Sequence, residues 1–136
     1  MKGETVPHPN EELVRRGYAA FLSGDMATLN ELFADDIVWH ARGRNQLAGD
    51  FRGKEAVLGT FQKTFELTGG TFKLEIHDVL ANDTHVVVLV HATAEREGKK
   101  LDDNSVQVFH VADGKVTEQW LQPGDAYASD EFWGQV

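Results

Sequence analysis

Three polar side chains in otherwise apolar segments are the candidates for chemistry in this sequence. His40 lies in a short apolar stretch, Gln107 in an alternating strand pattern, and Tyr18 on the apolar stripe of a helical segment. A neutral imidazole takes or gives a proton near pH 7, so we predict His40 as a general base. Gln107 and Tyr18 can donate hydrogen bonds to a developing oxyanion. The alternative stays open that each is a solvent-facing or hydrogen-bonded core residue.

Aromatic and histidine side chains predict an apolar pocket around these three groups. We predict that the pocket holds a small apolar ligand and no cofactor. The predicted ligand-binding residues are Trp39, Phe51, Phe61, Phe65, His91, Phe109 and Trp120.

Hydrophobic periodicity indicates the elements that would position these residues. Helical spacing predicts helices at residues 10–23, 25–33 and 54–67, with Asn10 as the first N-cap. Alternating spacing predicts strands at residues 37–41, 72–80, 84–94, 101–112 and 115–122, and residues 42–53 are expected to form a loop. Helices followed by a meander of strands predict an α+β fold.

Residues 1–9 hold two prolines and no period, so we expect a flexible N-terminus before one domain at residues 10–136. The final segment contains Tyr127, Phe132 and Trp133, which predicts that it packs on the sheet or on a partner subunit.

Composition excludes several classes of function. The 136 residues include 13 Lys and Arg against 22 Asp and Glu, a net charge of −9, which argues against binding nucleic acid or an anionic membrane. There is no Cys, and the first 25 residues carry no apolar signal core, so we expect a cytoplasmic protein. No His-x-x-x-His pair or phosphate-binding glycine loop occurs, and we predict no metal site.

Three segments resemble the NTF2-like superfamily, and within it the SnoaL-like proteins related to ketosteroid isomerase. They are the opening, with residues 18–25 followed by residues 31–40, then residues 47–57 with their Gly-x-x-x-Gly before a helix, and residues 108–120. The resemblance extends over residues 10–133. It implies a cone-shaped α+β barrel with three N-terminal helices on a curved, mainly antiparallel sheet, a deep apolar pocket, and a homodimer formed through the outer sheet face.

The ketosteroid isomerase pattern is only partly present. The position of its catalytic Asp corresponds to Ala41, one residue after His40, and its Tyr position corresponds to Gly17, beside Tyr18. Its protonated Asp corresponds to Gln107 if the hairpin is one residue shorter than in the isomerases. Steroid isomerisation is therefore disfavoured, and His40 can replace the base only if the strand register differs, because a step of one residue reverses the face.

Three functions remain open at this point. The first is a cofactor-free isomerase, cyclase or lyase that abstracts a proton from a small apolar carbonyl compound, with Asp125 as a fallback acid. The second is a binding or carrier protein for an apolar ligand, and the third is a structural dimerisation domain.

Overall fold

A computed structural model describes residues 6–134, which form one sheet covered on its inner face by helices. The helices in these residues are α1 (Pro9–Ser23), α2 (Met26–Leu32), α3 (Lys54–Thr68) and α4 (Ala126–Trp133). The strands are β1 (Phe33–Ala41), β2 (Gly49–Arg52), β3 (Lys73–Ala81), β4 (His85–Arg96), β5 (Lys99–Ala112) and β6 (Lys115–Gln122). Within this part of the chain no helix is both long and apolar enough to cross a membrane.

Local signals at the helix ends explain where α1 and α2 begin and end. The Nδ1 atom of His8 accepts a hydrogen bond from the backbone N–H of Asn10, so His8 and not Asn10 is the N-cap of α1. Gly24 ends the helix in the left-handed conformation at φ 74°, which glycine adopts without strain. The carboxylate of Asp25 then caps α2 by accepting from the backbone N–H of Thr28. Of the predicted flexible segment 1–9, residues 1–5 lie outside the described residues and Pro9 is already helical.

The sheet has the order β2-β1-β6-β5-β4-β3. Neighbouring strands pair antiparallel except for β1 and β6, which are parallel. The predicted α+β class and curved, mainly antiparallel sheet are confirmed, but the predicted cone-shaped barrel is wrong because the sheet is open, with β2 and β3 at its edges. The predicted loop at residues 42–53 contains β2, whose four residues are too few to display an alternating period.

Strand alternation places a continuous row of large side chains on the inner face. Val86, Phe109, Gln119, Trp39 and Phe51 occupy paired positions on five neighbouring strands. Paired residues point to the same face, so this row faces the helices. The opposite row of each strand faces away from them.

The C-terminal segment forms a fourth helix, so the expectation of three N-terminal helices as the whole helical layer is wrong. Phe132 and Trp133 on α4 are buried against Ala92, Ala94 and Leu101 of the sheet. The prediction that this tail packs on the sheet is confirmed for Phe132 and Trp133 but is wrong for Tyr127, which is 89% exposed.

Candidate functional site

A cavity of about 160 Å³ lies between the helices and the inner face of the sheet. Its wall is mostly apolar and comes from α1, α2, α3, α4 and the sheet. Of the predicted residues, those in the lining are Tyr18, Trp39, Phe61, Gln107 and Phe109. The structure therefore brings together both predicted hydrogen-bond donors and three of the predicted aromatic residues.

Tyr18 and Gln107 form a buried polar pair in the lining of the cavity. Tyr18 lies one helical turn after buried Val14 on α1, so its ring faces the sheet, and its hydroxyl donates a hydrogen bond to Oε1 of Gln107 on β5. The two residues are 7% and 8% exposed. Burial raises the pKa of the Tyr18 hydroxyl, because the charged phenolate would be poorly solvated, so the hydroxyl keeps its proton.

This hydrogen bond fixes what Gln107 offers to a ligand. A primary amide has one accepting oxygen and an NH₂ group with two donors. Because the oxygen of Gln107 already accepts from Tyr18, its NH₂ group is the part that remains for a ligand. Gln107 is therefore suited to hold a carbonyl oxygen, whereas Tyr18 donates its only proton to Gln107, so its predicted role as a direct donor to the ligand is wrong.

Aromatic rings form the wall beside this polar pair. Trp39 contacts Phe61 edge to face at 4.9 Å between ring centroids, and its ring lies 6.1 Å from that of Phe109. Phe51 and Phe65 do not line the cavity. Phe51 is on the edge strand β2, where it pairs with Trp39 of β1. Phe65 packs on Phe21, and it is Phe21 that lines the cavity. Their predicted place in the lining is wrong, although both support residues that are in it.

His40 lies on the outer face of the sheet, so its predicted position in the cavity is wrong. Its neighbours Trp39 and Ala41 both line the cavity, and alternation along β1 turns His40 to the opposite side. There its Nδ1 lies 2.7 Å from a carboxylate oxygen of Asp50 and its Nε2 lies 2.6 Å from one of Glu118. The hydrogen bonds to Asp50 and then to Glu118 raise the pKa of His40. A base so placed cannot reach a ligand in the cavity.

Trp120 and His91 also lie on the outer face, which corrects their predicted place in the pocket. Trp120 follows the inward-facing Gln119, and its ring stacks on that of His40 at 5.5 Å. His91 alternates with the buried Val90 and Ala92 of β4. Its pKa is raised by hydrogen bonds to Asp102, at 2.6 Å, and to Glu75, at 3.4 Å.

The cavity lining also includes polar residues that the sequence did not identify as part of the site. They are Arg42, Asn45, Asp103, Ser105 and Ser129. Asp103 and Ser105 precede Gln107 on β5 at spacings of two residues, so alternation puts all three on the inner face. Extending the alternation of Gln107 with Ser105 by one step would have identified Asp103.

Asp103 also accepts hydrogen bonds from the turn that precedes α4. Its two carboxylate oxygens accept the backbone N–H groups of Gly124 and Asp125 at 3.1 and 3.0 Å. A Cβ atom on Gly124 would lie 2.1 Å from the backbone oxygen of Asn104, so only glycine fits this close approach. Asp125, the predicted fallback acid, is exposed and caps α4 by accepting from the backbone N–H of Ala128, so its expected place as an acid in the site is wrong.

A metal centre has no ready set of ligands in the described part of the chain. Residues 6–134 contain no group of three or more His, Asp or Glu side chains arranged to hold an ion. The two nitrogens of His40 point to different carboxylates on opposite sides of its ring. This arrangement serves hydrogen bonding.

Comparison with known proteins agrees with this architecture. Residues 14–119 match the SnoaL-like domain family. The chain belongs to that family. As a SnoaL-like protein it is 37% identical over 123 residues to an uncharacterised protein of Mycobacterium tuberculosis, covering 90% of this chain and 94% of the relative.

Solved structures place the SnoaL-like chain in the NTF2-like superfamily. Bal32a, from a soil-derived mobile gene cassette, has a TM-score of 0.90 and 46% identity, with coverage of 93% of this chain and 97% of Bal32a. An NTF2-like protein from Burkholderia xenovorans has a TM-score of 0.82 and 25% identity, with coverage of 96% and 100%. The predicted superfamily is thus confirmed.

Proposed function

We propose that this protein binds a small apolar carbonyl compound in its cavity. The observation that carries the proposal is the Tyr18–Gln107 pair, which leaves the Gln107 NH₂ group as a hydrogen-bond donor at an aromatic wall. An apolar body gains free energy from burial, at about 25 cal/mol per Å² of apolar surface. A carbonyl oxygen at Gln107 then avoids leaving buried donors unpaired.

Binding of a ketone and of its parent hydrocarbon tests this proposal. Titration of 1-tetralone and of tetralin can be followed by the fluorescence of Trp39, since this ring lines the cavity. We expect tighter binding of the ketone by about tenfold, the upper range for one hydrogen bond. Gln107→Leu should remove this preference, whereas the outer-face variant His40→Gln should keep it. Equal affinity of the wild-type protein for both compounds, or binding of neither, would overturn the proposal.

Proton transfer at the bound ketone is the second candidate function, and Asp103 would be its base. The observation that favours it is that Asp103 is the one carboxylate in the lining formed by residues 6–134, which includes no His. However, Asp103 lies four residues from Gln107, about 13 Å along the strand. One carbonyl and its neighbouring carbon do not span that separation, so geometry favours binding over α-proton abstraction.

Hydrogen–deuterium exchange of 1-tetralone in D₂O distinguishes the two functions. A catalyst should speed exchange at the carbon next to the carbonyl, and Asp103→Asn should abolish the acceleration while His40→Asn keeps it. A binding protein should leave the rate of exchange at the solvent value. Proton NMR of the ketone measures the rate directly.

The outer face of the sheet supports a further part of the proposal, a homodimer. Its centre is apolar, and the outer apolar patch consists of Leu80, Val87, Leu89, Val106, Val108 and Trp120. Leu80 is 54% exposed in the single chain, and an apolar patch of this kind is typical of association between subunits. A second copy of the same face would bury it by two-fold symmetry.

A further inference from the structure

Gln119 is a buried amide whose side chain has no hydrogen-bond partner within residues 6–134. Its side chain lies on β6 at the centre of the sheet and the residue is 0% exposed. Neither Nε2 nor Oε1 is paired. An unpaired polar group in the interior costs about 1–3 kcal/mol, and a leucine of similar size would avoid that cost. The amide at this position therefore needs a partner that residues 6–134 do not supply.

The register of the sheet directs Gln119 toward the cavity side. It pairs with Trp39 of β1 and with Phe109 of β5, and both rings line the cavity. Leu121, two residues further along β6, also lines it. Gln119 itself is fully buried and does not line the cavity, although it lies on the same face as these two rings, whose centroids are 6.1 Å apart.

Gln119 is also a near neighbour of Gln107. Gln107 pairs with Leu121, so Gln119 occupies the diagonal position on the adjacent strand. Diagonal neighbours on one face are about 7–8 Å apart. One small ligand can therefore contact both amides.

We propose that Gln119 is a second ligand-contacting residue. It selects ligands whose hydroxyl group lies across an aromatic ring from their carbonyl group. This rests on the proposed binding function. The oxygen of Gln107 already accepts one hydrogen bond from Tyr18 and its NH₂ group remains for a ligand, whereas both ends of the Gln119 amide are unpaired. A hydroxyl group both accepts and donates, so it satisfies both ends of the Gln119 amide. The proposal requires the ligand hydroxyl to reach Gln119 between Trp39 and Phe109, and therefore requires the half-buried Trp39 ring to rotate when the ligand binds.

A matched pair of probes tests this selection. We expect 6-hydroxy-1-tetralone to bind the wild-type protein about tenfold more tightly than 1-tetralone, because a site built to bond a hydroxyl discriminates against its absence. Gln119→Met keeps the size of the side chain and removes its hydrogen bonds, so it should bring the ratio of the two dissociation constants to about one. Affinity for 1-tetralone itself should change less than twofold.

Two results would overturn the inference, and they differ from failure of the proposed function. If Gln119→Met leaves the ratio of the two dissociation constants at its wild-type value, Gln119 does not contact the ligand. The same conclusion follows if the wild-type protein binds both ketones with equal affinity. If neither ketone binds, the proposed function fails and this inference fails with it. Gln119→Leu provides a second variant, and its folding is checked by circular dichroism before titration.

Discussion

The Tyr18 hydroxyl on α1 donates its hydrogen bond to the side-chain carbonyl of Gln107 on β5, 89 residues away in the sequence. This bond joins the helical layer to the sheet inside the cavity. It also turns the amide so that its NH₂ group is the part left for a ligand. One contact thus links the packing of the two layers to the chemistry of the site.

Tyr18→Phe tests that link. The substitution keeps the ring and leaves Oε1 of buried Gln107 without its donor, so we expect the free energy of unfolding to fall by about 1–3 kcal/mol. Urea denaturation measures this. The matched control is Tyr127→Phe, at a residue that is 89% exposed, where less than about 0.5 kcal/mol is expected. Equal effects of the two variants would contradict a structural role for the Tyr18–Gln107 bond.

The stability contributed by His40 should decrease as pH rises. Its pKa in the folded protein is raised above the ordinary value of 6.5 by Asp50 and Glu118. The contribution is therefore fully present below pH 6.5 and is lost as the pH passes through the raised folded-state pKa. At pH 5.5 the free energy of unfolding should be higher for the wild type than for His40→Gln by at most about 1 kcal/mol, the range for partly exposed ion pairs. This difference should disappear at high pH.

NMR titration of the His40 ring checks the cause of this pH dependence. We expect a midpoint above 6.5 in the wild-type protein and a lower one in Glu118→Gln, which removes one of the two carboxylates. A midpoint at or below 6.5 in the wild type would show that the two carboxylates do not stabilise the imidazolium.

The sequence was sufficient to predict which side chains share a face of a strand or helix, because that depends on a pattern of fixed period. Alternation on β5 put Gln107 on the same face as Phe109, and the helical stripe put Tyr18 opposite them. The face of His40 was not predictable in the same way, because a strand shows which residues share a face but not which face meets the helices. Trp39 and His40 are both large and partly polar, so neither identifies the inner side.

Long-range partners were the other part that the sequence could not supply. β2 exists because residues 49–52 pair with residues 38–41, and four residues with a glycine carry no period of their own. The buried position of Gln119 was not predictable, because a polar residue in a strand next to Trp120 is typical of a solvent-facing position. Its burial follows from the parallel pairing of β1 with β6, which no local pattern indicates.

Val108→Asp should disrupt the proposed homodimer. Val108 lies at the centre of the outer apolar patch, between Val87 and Trp120, and a carboxylate there would be desolvated on association. We expect wild type to sediment with twice the 15.1 kDa chain mass and the variant to sediment as a monomer. The control Tyr127→Asp introduces the same charge on α4, away from this face. A folded Val108→Asp protein that stays dimeric would place the interface elsewhere.

Asp103 should hold α4 in place as part of the cavity wall. Asp103→Ala removes the acceptor of the Gly124 and Asp125 backbone N–H groups, so the turn that leads into α4 loses two hydrogen bonds. Ser129 and Trp133 of α4 line the cavity, and loosening this helix opens the wall they form. We expect faster amide exchange at residues 124–128 and faster dissociation of 1-tetralone, by about threefold to tenfold if about 1 kcal/mol is lost. Asp103→Asn retains one accepting oxygen and should lie between wild type and Asp103→Ala, whereas dissociation rates equal to wild type in both variants would mean that the ligand leaves by another route.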